Sequence, residues 1–327
     1  MHWATRSDHR FPERNMTILT DNIDFARIYV PEETGWQPLP RDRIDKKVQK
    51  IACRLMEADL LYQADIETAL SWQYLFLIRY ARVSQYDVLV QLAREDAALP
   101  HGTLCVAGSG RKFHGFRNRS WATVPGNIHL SAYLAPRREI PNFGAGFMVL
   151  AAVAVLHTLD SLDFLKKKAG VKWVNDILLD HAKVCGVLAY TQTLGKAVKS
   201  AILGIGLNVE TTPAVEPTPF VPKVGALQEF IEDKKHCSLQ TVLFRLLQCL
   251  ETDYETLLKG HYLDLLEVYR KRSLVIGKEV SIWADTARCE PRKLRRGKVA
   301  AIGQNLELYF EDHDAPVTKG RLVFERA

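Results

Sequence analysis

The chain has 327 residues, 47% of them hydrophobic and 25% charged, a make-up that fits an ordinary globular protein and excludes collagen-like or disordered chains. At this length, above the ~150 residues usual for one domain, one large domain with smaller pieces attached is expected. The net charge of +6 is spread along the chain except at residues 111–119 and 292–298, which argues for local anion sites and against a continuous nucleic-acid footprint.

Residues 1–14 are mixed and charged and lack the apolar segment of a secretory signal. Residues 1–40 hold Pro12, Pro31, Pro38 and Pro40 without a clean period and read as an extension with no predicted structure. Further on, Ile44, Val48, Ile51 and Leu55 form the stripe of an amphipathic helix. No helix-turn-helix stands out in residues 1–75, which argues against a repressor role.

Residues 74–83 favour a strand, Ser84-Gln85-Tyr86-Asp87 a turn, and Val88, Leu89 and Leu92 recur at helical spacing. Residues 102–107 form a short apolar strand that opens into a glycine-rich basic loop, and residues 127–134 alternate as a strand would. Residues 143–159 predict a long buried helix, since the uncharged run at 143–156 is shorter than the ~20 residues that span a bilayer.

Residues 171–179, 183–190 and 200–209 predict three apolar strands, the first two spaced as an antiparallel hairpin. Ser238 caps a helix whose apolar face holds Leu239, Val242, Leu243, Leu246, Leu250 and Tyr254. The middle of the chain is thus a sheet with covering helices. Beyond Leu274 the segments 279–283, 297–302, 306–310 and 321–324, with turns at Gly303-Gln304-Asn305 and Lys319-Gly320, predict a small β-barrel. The expected division is 1–74, an extension; 75–272, a main domain; and 273–327, the barrel.

Cys53, Cys105, Cys185, Cys237, Cys249 and Cys289 lie far apart, with no Cys-x-x-Cys pair and no histidine spaced as a zinc partner, so a reducing cytoplasm suits them. Cys185 reads as a core residue, and His114 and His129 as hydrogen-bonded surface groups.

Three constellations carry chemistry. In the first, Gly108-Ser109-Gly110-Arg111 and the stretch to Arg117, Arg119 and Trp121, glycines let a backbone approach an anion and arginines supply planar charged donors. Such a loop can also be a plain surface turn. In the second, Lys172, Asn175 and Asp176 interrupt an apolar strand ahead of Lys183, Gly186 and Leu188. Buried charges need partners, so Lys172 and Asp176 serve a ligand, simply pair with each other, or sit on an exposed edge. In the third, Gly204 and Gly206 leave room for something flat against a strand, and Asn208 can read an adenine edge. A bulge followed by a turn would look the same.

In this order and spacing, with a small barrel after them, the three motifs resemble the biotin protein ligase family over residues 75–327. That resemblance implies an α+β fold: a class II synthetase-like ligase domain with a central mixed sheet flanked by helices, then an SH3-like β-barrel. It implies a two-step reaction in which biotin and Mg-ATP give biotinyl-5′-AMP and a lysine of an acceptor carboxylase domain displaces AMP. On that model Arg111, Arg119, Lys172 and Lys183 clamp the carboxylate and phosphates, and Asp176 helps to hold Mg²⁺. Ser84, Gly108, Ser109, Gly110, Gly186, Leu188 and Gly204 bind the acid. Trp121, Asn175, Gly206 and Asn208 face the nucleotide together with Arg119, Lys172 and Asp176. Homodimerisation through a sheet edge follows by family analogy.

The sequence departs from the family at informative places. Ser84-Gln85-Tyr86 stands for Ser-Thr-Asn, Val106-Ala107 for a segment with glutamine, Ser109 for arginine, and Val174 for proline. About four extra residues separate Arg111 from Trp121, and Arg119 keeps the family's distance to Trp121 better than Arg117. Because the altered positions are those that would read biotin's ureido ring, a ligase for lipoate or another medium-chain acid is the nearest alternative. A non-catalytic protein that binds the acid or its adenylate is the alternative from another class. Residues 292–298 could attract nucleic acid or an acidic acceptor, although a solvated hairpin is the commoner meaning of such a run.

Overall fold

A computed structural model describes residues 14–95, 98–284 and 292–325. Cys289 and the first 13 residues of the expected extension lie outside them. The chain opens with β1 (Arg14–Thr20), α1 (Ile23–Ala26), β2 (Gln37–Pro40), α2 (Lys46–Leu55) and β3 (Leu60–Thr68). Next come β4 (Tyr74–Ala81), α3 (Gln85–Arg94), β5 (Thr103–Gly110), β6 (Asn127–Leu134), β7 (Arg138–Glu139) and α4 (Phe143–Asp160). The strands β8 (Gly170–Lys172), β9 (Asp176–Leu179), β10 (Ala182–Leu194) and β11 (Ala197–Asn208) precede α5 (Leu239–Leu258) and α6 (Tyr262–Lys271). Five short strands close the chain: β12 (Glu279–Trp283), β13 (Lys293–Ile302), β14 (Leu308–Phe310), β15 (His313–Val317) and β16 (Arg321–Phe324).

The first eleven strands form one mixed sheet in the order β2-β3-β1-β4-β5-β6-β11-β10-β9-β8, with β7 beside β11. β4 pairs in parallel with β1 and with β5, and the remaining neighbours are antiparallel. Residues 14–74, for which the sequence offers little, therefore widen the same sheet through β1, β2 and β3. Their signal is weak because β2 is an edge strand interrupted by Pro38 and Pro40, and β1 and β3, although interior, keep exposed and half-buried positions.

Alternation along the central strands divides the core. Leu75 and Leu77 of β4, with Leu104 and Val106 of β5, face one cluster, whereas Phe76, Ile78, Cys105 and Ala107 face the other. The first cluster is built on α4, which lies between the sheet and the pair α5 and α6. Because α4 is covered all round, it is apolar all round, and residues from Val149 to Leu156 are fully buried. Each such Leu or Val contributes about 1.5–3 kcal/mol. It is the one helix among the described residues long and apolar enough to cross a membrane, and 78% of it is buried inside the protein. The second cluster is covered by α2 and α3.

One expected strand is corrected. Residues 171–179 form two strands, β8 and β9, joined by a tight turn at Trp173-Val174-Asn175, with the Trp173–Val174 peptide cis. The turn gives Lys172 and Asp176 opposite ends of a register pair, and a continuous strand could not have placed both at one point.

The last five strands make a small antiparallel sheet in the order β15-β14-β13-β12-β16. It docks beside the β8–β9 turn. The Trp173 indole N–H donates to the Leu306 carbonyl at 2.7 Å, and Arg270 Nε donates to the Ile302 carbonyl at 2.8 Å. The basic run at 292–298 lies along β13, where Lys293 pairs with Glu325 at 3.2 Å and Lys298 with Glu311 at 2.8 Å.

Candidate functional site

The floor of the main pocket is the pairing of β10 with β11. Gly186 lies opposite Gly206 and Leu188 opposite Gly204, so the pleat exposes a patch with almost no side chain. Aromatic rings fill that space: a Cβ at Gly206 would meet the Trp121 indole at 2.5 Å, and one at Gly204 would meet the Tyr86 ring at 3.0 Å. The loop from residue 111 to 126 carries Trp121 there. Its arch is closed by Trp121 N–H donating to the Phe113 carbonyl at 3.0 Å and Gly115 N–H donating to the Arg119 carbonyl at 2.6 Å. Lys112, Arg117 and Asn118 take up positive φ in this loop, at 59°, 58° and 57°. Side chains seldom adopt that conformation without compensation.

The pocket measures about 230 Å³ and is lined by Ser84, Gln85, Phe113, His129, Arg119, Lys183 and others beside the glycine floor. The indole occupies the floor, which keeps this volume small.

At one side stand the charges. Lys183 Nζ lies 2.7 Å from the Asp176 carboxylate and 5.4 Å from the centre of the Trp121 ring. Lys172 is 6% exposed and donates to the Phe220 carbonyl. Burial pushes its ammonium down to about 8, with Lys183, Arg321 and Arg119 pushing the same way and Asp176 opposing them. Arg321 of β16 packs its guanidinium 3.5 Å from the centre of the Phe220 ring and borders the pocket. A second cavity of about 790 Å³ opens between the β9–β10 hairpin and the small sheet, and it shares Asp176 and Lys183 with the first. Lys172, Lys223, Lys278 and Arg296 line it.

Of the residues singled out in the sequence, Ser84, Arg119, Trp121, Asn175, Asp176, Lys183, Gly186, Leu188, Gly204, Gly206 and Asn208 border the main pocket, and Lys172 the adjoining cavity. Arg111 stands exposed at the start of the loop, and neither it nor Gly108, Ser109 or Gly110 borders either space. Gly110 is held by close packing: a Cβ there would fall 2.2 Å from the Ala81 carbonyl oxygen. Asn208 and Asn175 spend their side chains inside the protein. Asn208 Nδ2 donates to the Gly225 carbonyl at 3.0 Å, and Asn175 Nδ2 to the Val187 carbonyl at 2.9 Å. Between the two loop arginines, Arg119 borders the pocket, and Arg117 is exposed with its guanidinium over the Phe116 ring.

His129 is not the surface group expected. It lies in β6, 2% exposed, and burial drives its imidazole down to about 4, with the Val124 carbonyl opposing. His114 does sit nearer the surface, 2.8 Å from Asp87. Cys185 is fully buried, which raises its thiol far above the ordinary range and makes it unreactive. Arg321 was missed because nothing local in a short terminal strand marks a residue that reaches a site formed elsewhere.

Residues 82–208, which span α3, the arch, the floor and the β8–β9 turn, match the model of the biotin/lipoate A/B protein ligase family. The match covers less than half of the chain. The bifunctional ligase/repressor BirA of Bacillus subtilis is 29% identical over 189 residues, which cover 57% of this chain and 56% of that protein. A biotin–[acetyl-CoA-carboxylase] ligase of Paracoccus denitrificans is 30% identical over 143 residues, 42% of this chain and 57% of that one. The chain thus spans little more than half the length of these two relatives. In fold it is similar to the biotin protein ligase of Aquifex aeolicus solved with biotin and ATP, with a TM-score of 0.57 at 20% identity over 77% of this chain and 99% of that one. The glycine floor and the lysine-bearing hairpin lie inside the matched segment.

Proposed function

We propose that this chain is a cytoplasmic ATP-dependent ligase of the biotin/lipoate ligase family that converts biotin to biotinyl-5′-AMP and transfers the biotinyl group to a lysine of a carboxylase acceptor domain. One observation carries the reading: Lys183, Arg119 and Asp176 border a glycine-floored pocket, with Lys172 immediately behind it. Bringing a carboxylate against the α-phosphate of ATP joins two anions, and fixed cations offset that repulsion while stabilising charge on the pentavalent phosphorus. The acid's oxygen forms the bond to phosphorus as pyrophosphate leaves. The acceptor amine then attacks the acyl carbon and AMP leaves, so no enzyme nucleophile is required.

In this proposal Lys183 and Arg119 meet the carboxylate and α-phosphate, and Lys172 meets the remaining phosphates. Ser84, Gly186, Leu188 and Gly204 contact the acid. Gly206, Asn175 and Asn208 shape the adenosine side, the two amides by fixing the backbone around it. Trp121 lies where a flat ligand would lie, so the arch must shift for both substrates to enter. That movement is what would bring Gly108, Ser109, Gly110 and Arg111 into play, and a closed arch would keep water from the mixed anhydride.

For Mg²⁺ the test is the donor set. Among the described residues no group of three or more acidic, histidine or cysteine side chains could hold a metal. A single carboxylate, Asp176, stands between the two cavities. One carboxylate fits an ion bound mainly by phosphates and water, which would shield the phosphate charge.

We propose further that residues 75–272 carry this chemistry on the widened sheet and that residues 273–327 curl into an SH3-like barrel. A homodimer would use a sheet edge, and that edge would be β2, because the backbone of residues 272–274 already pairs with Val171 along β8. ATP–pyrophosphate exchange with the purified chain, run with biotin and with lipoate, tests the reading. Exchange with lipoate alone moves the function to the alternative acid, and exchange with neither overturns it.

A further inference from the structure

Phe25 and Tyr29 lie well ahead of the segment matched to the ligase family, yet they reach the two places where the arch joins the sheet. Within the ligase reading above, we propose that they are positioning residues for adenylation: they hold the feet of the arch at Gly108 and Asn127 while its tip moves over the pocket. The stretch that carries them is itself fixed to β4. Thr20 Oγ1 donates to the Leu77 carbonyl at 2.8 Å, and Asp21 Oδ1 accepts the Arg79 N–H at 3.0 Å. Asn22 then caps α1 by accepting the Phe25 N–H at 2.8 Å. At the first foot, near the end of β5, the Phe25 ring fills the place a Cβ would take at Gly108, and the Arg79 carbonyl oxygen lies 3.1 Å from the same point. At the second foot, where β6 begins, the Tyr29 hydroxyl donates to the Asn127 carbonyl at 3.1 Å. The two rings meet edge to face with centres 5.1 Å apart, and Tyr29 is 1% exposed, so the grips on the two feet are coupled.

Asn127 passes this hold to the adenosine side. Its Oδ1 accepts the Val209 N–H at 2.9 Å and its Nδ2 donates to the Thr211 carbonyl at 2.8 Å, just beyond Asn208. Thr123 closes the base of the arch: its Oγ1 accepts the Gly110 N–H at 3.1 Å and donates to the Gly110 carbonyl at 2.9 Å. Further out, the arch rests on contacts that a shift can break, the Trp121 indole against Gly206 and the bond of 2.8 Å between His114 and Asp87. A lid with fixed feet returns to one closed position after each opening, and only that position keeps water from the mixed anhydride.

The test uses the full chain. Phe25→Ala removes the ring at Gly108, and Tyr29→Phe removes only the hydroxyl at Asn127. With biotin and ATP but no acceptor, the ratio of AMP released to pyrophosphate exchanged reads how often the anhydride is lost to water. A smaller folded fraction lowers both quantities alike and leaves the ratio unmoved. The ratio should rise about fivefold in Phe25→Ala and about twofold in Tyr29→Phe, and Phe25→Leu, which refills the space, should bring it back to within about twofold of the parent. Should Phe25→Ala not fold, Tyr29→Phe, which keeps its ring, carries the measurement. A second readout needs no ligase activity. Arg111, Lys112, Arg117 and Arg119 make the arch a trypsin target, and cleavage there should quicken about threefold or more in Phe25→Ala relative to sites elsewhere in the chain. An unchanged ratio in the folded variants, or arch cleavage that rises only in step with cleavage elsewhere, would overturn the inference and leave the ligase reading standing. An unaltered protein without biotin-dependent exchange would sink the ligase reading and the adenylation role with it, and the cleavage comparison would still decide whether the two rings hold the arch.

Discussion

Lys183 Nζ lies 2.7 Å from the Asp176 carboxylate, a pair formed across β9 and β10 with both side chains largely out of solvent, 18% and 16% exposed. The carboxylate holds the ammonium beside Gly186, where a Cβ would meet Lys183 Nζ at 3.4 Å. The ammonium is thus fixed before any substrate arrives. Lys183→Ala should lower acid-dependent pyrophosphate exchange by about a hundredfold or more, because a positioned charge in a sheltered site contributes several kcal/mol to such a barrier. Circular dichroism and thermal unfolding would show whether the fold is kept. A folded variant that made adenylate at the normal rate would remove Lys183 from the clamp.

The two loop arginines differ in place, not in chemistry. Arg119 is held toward the pocket by its Nε donating to the Phe116 carbonyl at 2.8 Å, and Arg117 turns outward at φ 58°. Arg119→Ala should reduce kcat/KM for ATP by about tenfold or more, the scale of one charge-assisted contact. Arg117→Ala should stay within about threefold. Equal losses in steady-state assays would mean that the arch rearranges enough to exchange the two.

Gly110 tests the register of the sheet that positions the arch. It pairs with Ala81, and a methyl group there would meet the Ala81 carbonyl at 2.2 Å and the Phe113 ring at 2.5 Å. Backbone cannot yield cheaply, so Gly110→Ala should lose about 1–3 kcal/mol of stability in urea unfolding. A variant as stable as the parent would contradict that close approach.

Periodicity carried much of the fold. The runs at 127–134 and 143–159 and the capped helix after Ser238 show their elements because one or both faces are buried, which writes itself into the sequence. The strands β1, β2 and β3 were not legible, since β2 is a proline-interrupted edge strand, β1 and β3 keep exposed positions, and their pairing depends on residues far along the chain. The same limit applies to the site. Of the glycines and lysines that drew notice, Lys183, Gly186, Gly204 and Gly206 border one pocket and Lys172 the adjoining cavity, whereas Gly108 and Gly110 border neither. Arg321 and the buried state of His129 depend on a strand and an arch arriving from elsewhere, so no local pattern announces them.

Lys172 makes function and stability respond to alkaline pH in opposite directions. Its ammonium titrates at about 8 in the free protein, chiefly because it is buried, against 10.5 for an ordinary lysine. Between those values the unfolded chain holds a proton that the native chain has released, so this group makes the protein more stable as pH rises through that window. Anion binding needs the charged form, however, so affinity for ATP should fall as pH rises above about 8, by up to about tenfold per unit when the proton must be regained on binding. Below about 8 the group is charged in both states and the affinity is flat. Lys172→Arg should remove this alkaline limb, since a guanidinium stays protonated throughout the range. Calorimetric titration with ATP from pH 7 to 9.5, in buffers of different ionisation enthalpy, reads both the affinity and the proton uptake. An unaltered protein that binds ATP equally well across the range, with no proton taken up, would place Lys172 away from the phosphates.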